Sequence, residues 1–109
     1  MPIANCIVSP HCPQGNGNII DIWASAAKQS PGHMTVNFIS STAQFGRGYC
    51  VMANLLLPSM WSNENISSIQ IALSAALVEY FNISAEQVHV TSTIVQSGMV
   101  VEAGHELSW

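Results

Sequence analysis

The sequence predicts an α+β fold in which two β-α-β repeats form a four-stranded sheet with two helices on one face. The first observation is that strand patterns flank a helical pattern in the first half of the chain. The second is that the same order restarts in the second half, after turn-forming residues. Because strand–helix–strand crossovers are right-handed, the helices of both units are expected on the same face. We expect one domain, residues 1–109.

In the first unit, residues 2–8 are apolar and partly β-branched, which is typical of a strand. Asn18 can cap a helix whose apolar positions lie between residues 19 and 27, and Pro31-Gly32 ends it. Between residues 34 and 39, Met34, Val36 and Phe38 alternate with Thr35, Asn37 and Ile39, as in a half-buried strand. These signals define the first β-α-β unit.

In the second unit, residues 49–57 form a near-continuous apolar run, which predicts a central strand. Ser62 or Asn63 can cap a long helix with an apolar face. Residues 84–87 resemble a capping box that opens a short turn, and residues 88–95 have a strand pattern. A short apolar piece at 99–101 precedes the C-terminal tail.

Charged residues make up only 7% of the chain, whereas hydrophobic residues make up 49%. A soluble domain usually carries about 25% charged residues. The second face of the predicted sheet is also apolar and needs a cover, so we expect a homo-oligomer. The net charge is −4 and the only cations besides histidine are Lys28 and Arg47, which excludes nucleic acid as a partner.

No membrane partner is expected, because no stretch approaches the roughly 18 uninterrupted apolar residues of a membrane span. The N-terminus lacks the basic and apolar regions of a signal peptide, so we expect a cytoplasmic protein. The odd number of cysteines, 3, fits a reducing compartment better than a disulfide framework.

The main hypothesis about chemistry concerns the N-terminal residues Met1 and Pro2. Methionine before a small residue such as proline is normally trimmed, which would leave Pro2 with a free secondary amine at the start of a strand. A terminal amine has a reference pKa of about 7.7–8.0. Burial disfavours its charged form and lowers that pKa towards neutrality, where a general base works best. Pro2 is therefore a candidate catalytic residue.

The Pro2 start, the repeated β-α-β order and the segment 77–90 resemble the tautomerase superfamily, most closely its macrophage migration inhibitory factor branch. Residues 83–90 are similar to the family run Ile-Ser-Pro-Asp-Arg-Val-Tyr-Ile, and Phe45-Gly46 stands where the family has Phe-Gly. The tail, with Gly104-His105-Glu106 and Trp109, has a looser likeness to the cis-3-chloroacrylic acid dehalogenase branch. The resemblance covers nearly the full length. It implies a homotrimer with an active site around the N-terminal proline at each subunit boundary.

The resemblance also implies residues that assist Pro2. His89 stands where the migration inhibitory factor branch has a pocket tyrosine, and Thr91 where it has an asparagine; both also fit ordinary strand positions. Arg47, between two glycines, is either a mobile clamp for a carboxylate or a solvated loop residue.

The chain departs from the family at three places. Gln29 replaces the usual lysine, and Lys28 beside it would point about 100° away on a helix. Glu102 stands one residue from the position of the dehalogenase glutamate, and Gln29 and Glu102 are both candidate substrate-binding residues. The two arginines of that branch are absent from residues 58–64, so water addition to an unsaturated acid is not expected.

Two further patterns are discounted. Cys6, His11 and Cys12 match no common zinc spacing, and residues 15–17 lack the third glycine and distal acid of a dinucleotide site. We therefore expect no metal and no cofactor. Trp61 and Trp109 can form a pocket wall or a subunit contact.

The sequence thus predicts a trimeric, cofactor-free tautomerase or isomerase that acts on a small molecule. The reaction would be keto–enol proton transfer on a small 2-oxo acid or enol. One alternative is a non-catalytic trimeric binding or signalling protein. The other is an unrelated ferredoxin-like oligomeric module, which would have no cavity reaching the first residue of its first strand.

Overall fold

The computed structural model describes residues 1–109 and has the predicted architecture. The first unit comprises β1 (Ile3–Val8), α1 (Ile19–Ala27) and β2 (Thr35–Ser40). The second comprises β3 (Val51–Pro58), α2 (Asn63–Phe81) and β4 (Val88–Val95). The sheet order is β2-β1-β3-β4. The strands are parallel within each unit, and the two units join through an antiparallel β1–β3 pair.

Side-chain caps fix the start of both long helices. The Asn18 carboxamide oxygen accepts hydrogen bonds from the N–H groups of Ile20 and Asp21, at 3.0 and 3.3 Å. The Ser62 hydroxyl accepts one from the N–H of Asn65 at 3.2 Å, so Ser62 rather than Asn63 is the cap of α2. No helix is both long and apolar enough to cross a membrane.

The core lies between the sheet and the two helices. Trp23 of α1 is fully buried, and its indole Nε1–H donates to the carbonyl oxygen of Ile69 in α2 at 3.2 Å. The sheet contributes alternate residues of β1 and β3 to the same core, as the period of two requires. These residues are Ala4, Cys6, Val51, Ala53, Leu55 and Leu57.

The opposite face of the sheet has no cover from this chain. A polar row crosses all four strands, and one of its contacts is a 2.8 Å hydrogen bond from the Asn37 amide to the Asn5 carboxamide oxygen. An apolar row beside it contains Ile7 and Ile39, which remain 47% and 51% exposed. The polar row comprises Asn37, Asn5, Asn54 and Thr91.

The tail contains a hairpin that the sequence did not predict. β5 (Val100–Glu102) pairs antiparallel with β6 (His105–Leu107). Ala103 and Gly104 form the turn with φ of 52° and 80°, which is the two-residue geometry of a tight hairpin. The capping-box interpretation of residues 84–87 is wrong, because the Ser84 side chain makes no cap hydrogen bond to the short 3₁₀ turn that follows.

Lys28 ends α1 in a left-handed conformation, with φ of 56°. This backbone region is costly for a residue with a Cβ and is commonly filled by glycine at helix ends. We expect Lys28→Gly to raise the free energy of unfolding by about 0.5–1 kcal/mol, measured in urea. Asn82→Gly at the end of α2, where φ is 52°, is the control, because asparagine already tolerates this region. An equal gain in both variants would contradict this explanation.

The Cys6 thiol is fully buried, and this burial raises its pKa to about 12. Below about pH 9 the thiol is protonated in both the folded and the unfolded chain, so the buried thiol carries no ionisation cost and stability is at its full value. Stability is lost as pH rises from about 9 through about 12, because the unfolded chain releases the proton first. We expect wild type to lose up to about 1.4 kcal/mol per pH unit more than Cys6→Ala in this window. Parallel urea-stability curves for the two proteins would contradict the assignment.

Candidate active site

One edge of the sheet gathers four chain segments. β1 and β2 begin at this edge, whereas β3 and β4 end there, because the two units pair antiparallel. The Thr35 N–H donates to the Pro2 carbonyl oxygen at 3.1 Å, and the Ser59 N–H donates to the Val95 carbonyl oxygen at 2.9 Å. The segments before β1 and β2 therefore meet those after β3 and β4.

A cavity of about 540 Å³ lies at this edge. Its size is within the range of about 300–1,000 Å³ that is usual for small-ligand sites. Pro2 is buried at the start of β1 and forms part of the wall. Each of the four segments contributes, and the lining residues are Met1, Pro2, Ile3, Gln29, Ser30, His33, Met34, Pro58, Met60, Trp61, Val100, Glu102, Leu107 and Trp109.

The C-terminal tryptophan is held against this cavity by two hydrogen bonds. Its indole Nε1–H donates to the Ser59 hydroxyl at 3.0 Å, and its backbone N–H donates to the Ser97 hydroxyl at 2.8 Å. Trp61, four residues beyond the Leu57 end of the buried apolar run, lines the same space. The sequence left two roles open for Trp61 and Trp109, a pocket wall and a subunit contact. Within this chain, both residues form part of the cavity wall.

Three of the candidate residues come together. Pro2, Gln29 and Glu102 all line the cavity, from three separate segments of the chain. Lys28 does not line the cavity. A rotation of about 100° between neighbouring helical residues was the expected reason, but it requires both residues to lie in α1. Lys28 and Gln29 both lie beyond α1, which ends at Ala27, and Lys28 has a left-handed backbone, so the spacing of about 100° between helical residues does not apply to them.

The other three candidates lie elsewhere in the chain. The Arg47 guanidinium carbon is 5.2 Å from the centre of the Tyr49 ring, and that ring is 5.3 Å from the His89 ring. Thr91 pairs with Asn54 on the uncovered face of the sheet. His89 is in register with Met52 and Ile3 with Leu56, so His89 is about 13 Å along β3 from the Pro2 end.

Sequence reasoning did not foresee His33, Met34, Met60 or Leu107 in the cavity wall. His33 and Met34 immediately precede β2, which is parallel to β1. Since parallel strands start at the same edge, the predicted β-α-β order already brought residues 29–34 towards Pro2. Met60 follows β3, whose antiparallel pairing with β1 was not predicted.

The thiols lie outside the cavity wall. Burial and, to a smaller extent, the neighbouring Cys50 together raise the pKa of the Cys12 thiol to about 11. A thiol with such a pKa stays protonated near neutral pH and is a poor nucleophile. The titratable side chains in the cavity wall are the Glu102 carboxylate and the His33 imidazole.

No family model and no curated protein matches the sequence. Solved structures do share the fold. A fused 4-OT symmetric trimer superposes with a TM-score of 0.71 at 13% identity, covering 98% of this chain and 95% of that one. N1, a member of the cis-3-chloroacrylic acid dehalogenase family, has a TM-score of 0.73 at 12% identity, covering 97% and 83%. Macrophage migration inhibitory factor from Oncomelania hupensis has a TM-score of 0.72 at 14% identity, covering 99% and 83%.

These neighbours are tautomerase-superfamily proteins, and the chain has their fold over nearly its full length. The predicted fold class is thereby confirmed. The ferredoxin-like alternative required that no cavity reach the first residue of the first strand. The cavity beside Pro2 argues against it.

Proposed function

We propose that the chain is a cofactor-independent tautomerase that transfers a proton between keto and enol forms of a small 2-oxo acid or enol. The observation that carries the proposal is the burial of Pro2 in the wall of a small-molecule-sized cavity. Removal of Met1, which also lines the cavity, would expose the Pro2 nitrogen and enlarge the space beside it.

In the proposed reaction, the neutral Pro2 nitrogen takes a proton from the carbon next to a carbonyl group, or from an enol oxygen. The electron pair of the broken bond moves onto the substrate and gives an enolate. The protonated nitrogen then returns the proton to the other atom, so the enzyme ends unchanged. The Gln29 amide lines the cavity and can donate a hydrogen bond to the enolate oxygen, where negative charge develops.

We further propose a homotrimer, in which the uncovered sheet face is buried between subunits. The exposed apolar row with Ile7 and Ile39 supports this assembly, and a fused 4-OT neighbour is a symmetric trimer. His89 and Thr91 assist Pro2 in this proposal by reaching the cavity of an adjacent subunit, whereas Arg47 stays over the Tyr49 ring. Glu102 would act as a second polar group within the subunit's own cavity.

A non-catalytic binding protein is the second candidate. The observation that favours it is the cavity wall itself, which contains neither lysine nor arginine to hold a charged substrate. Such a protein would bind small molecules in the same cavity without accelerating proton transfer.

The two candidates differ in one assay. We expect the untagged protein to accelerate the ketonisation of enol-phenylpyruvate, or of its methyl ester, above the buffer rate. Ultraviolet absorbance follows the loss of enol, and intact-mass measurement on the same sample reports whether Met1 is absent. Protein that lacks Met1 but leaves both rates at the buffer value would contradict the enzymatic proposal.

A further inference from the structure

The charges around the cavity have an unusual balance. The side chains of its wall include one carboxylate, Glu102, and one imidazole, His33, but no permanent cation. The whole chain has only 2 lysine and arginine residues. Lys28 adjoins Gln29 but does not reach the wall.

The only arginine is engaged at the far end of the sheet. Arg47 lies over the Tyr49 ring, with 5.2 Å from its guanidinium carbon to the ring centre. Such a cation–π contact stabilises the guanidinium where it is. Within the chain, Arg47 is therefore separated from Pro2 by most of the length of β3.

A carboxylate would be poorly accommodated in this cavity. Entering it would strip water from the anion without supplying the charge-assisted hydrogen bonds that normally offset that loss. The Glu102 carboxylate would add repulsion between like charges.

An uncharged substrate, in contrast, would be stabilised by apolar contacts with the cavity wall. Most of the wall is apolar, with the aromatic and thioether side chains of Trp61, Trp109, Met34 and Met60. Aromatic and aliphatic groups lose unfavourable water contacts there. The Gln29 amide still offers a donor for a carbonyl oxygen.

We propose that this cavity selects uncharged, apolar carbonyl compounds, such as aryl-substituted keto esters or ketones, over the corresponding carboxylates. The proposal rests on the proposed function, because it places the substrate beside Pro2. It restricts the proposed substrates to uncharged carbonyl compounds and their enols, and disfavours the 2-oxo acids.

The test compares phenylpyruvate with its methyl ester, which share one skeleton and differ in charge. Titration calorimetry gives Kd for each, and ketonisation of each enol gives kcat/KM. We expect the ester to bind at least about tenfold more tightly than the acid. Equal or tighter binding of the acid, or no binding of either compound, would overturn the inference. Tighter binding of the ester without turnover would refute the proposed function and leave the inference standing.

Glu102→Gln provides the matched variant. Removing the charge is expected to tighten acid binding by about three- to tenfold and to change ester binding by less than about twofold. Glu106→Gln is the control, because Glu106 lies on the other strand of the same hairpin and does not line the cavity. Tight acid binding by wild type that disappears in Arg47→Ala would show that an adjacent subunit supplies the cation, and would also overturn the inference.

Discussion

Replacing Pro2 with alanine is expected to lower kcat/KM for ketonisation by about 10²–10⁴-fold, the usual contribution of one positioned acid–base group. Alanine leaves a primary amine on a chain that rotates freely, whereas the proline ring holds its nitrogen in one direction. Pro2 is buried and its carbonyl oxygen accepts a hydrogen bond from Thr35, so the start of β1 is fixed against β2. The loss of kcat/KM would therefore reflect the missing secondary amine rather than a displaced β1 strand.

Pro10→Ala is the matched control. Pro10 is exposed and follows β1 at the opposite end of the strand, away from the cavity. We expect its rate to equal that of wild type. Circular dichroism should show the same fold in both variants. An active wild type whose rate is unchanged in Pro2→Ala would remove Pro2 from the mechanism.

Trp23→Ala is expected to lower the free energy of unfolding by about 3–5 kcal/mol, as measured by urea denaturation. Trp23 is 0% exposed, so truncation leaves a large cavity between α1, α2 and the sheet. It also removes the hydrogen bond from the indole N–H to the Ile69 carbonyl oxygen, which joins the two helices. Because domains are stable by only about 5–15 kcal/mol, this variant should be close to unfolding.

Trp61→Ala is the comparison for this effect. Trp61 is only partly buried and lies in the cavity wall, so its truncation should cost less than half as much stability and should weaken ligand binding. Trp23→Phe keeps most of the apolar volume and should fall between wild type and Trp23→Ala. A Trp23→Ala protein within about 1 kcal/mol of wild type would contradict the packing described for α1 and α2.

The repeated fold was predictable because its signals are local. Asn18 and Ser62 mark the starts of the two long helices, and both make the capping hydrogen bonds that their side chains allow. The apolar runs at residues 2–8 and 49–57 marked β1 and β3, and the structure shows which of their alternate residues face the core. Periodicity carries no information on how the two units pair, so the antiparallel β1–β3 contact came only from the structure.

The tail hairpin escaped prediction for a physical reason. Its strands have three residues each, too few for an alternating pattern to stand out. Its turn uses Ala103 and Gly104, whereas the strongest hairpin signals are Asn-Gly and Asp-Gly. The position of Glu102 in the cavity wall depends on this hairpin. Resemblance could suggest a role for Glu102, but the residue pattern of the tail could not predict where its side chain lies.

The candidate site was only partly accessible from sequence. Pro2 was identifiable because of its chemistry, and Gln29 and Glu102 lie with it in the cavity. His89 and Thr91 were suggested by resemblance and Arg47 by its position between two glycines, and within the chain all three lie away from Pro2. Their roles depend on contacts between copies, which a single chain does not contain, and they stay predictions.

Mass-spectrometric mapping of the untagged protein after reaction with phenacyl bromide, an uncharged α-haloketone, tests the role of Pro2 most directly. The expected result is a chain that has lost Met1 and carries a single adduct on the Pro2 nitrogen, with ketonisation lost in proportion to labelling. Retained Met1, or an inactivating adduct on another residue while the Pro2 nitrogen stays free, would contradict the catalytic assignment.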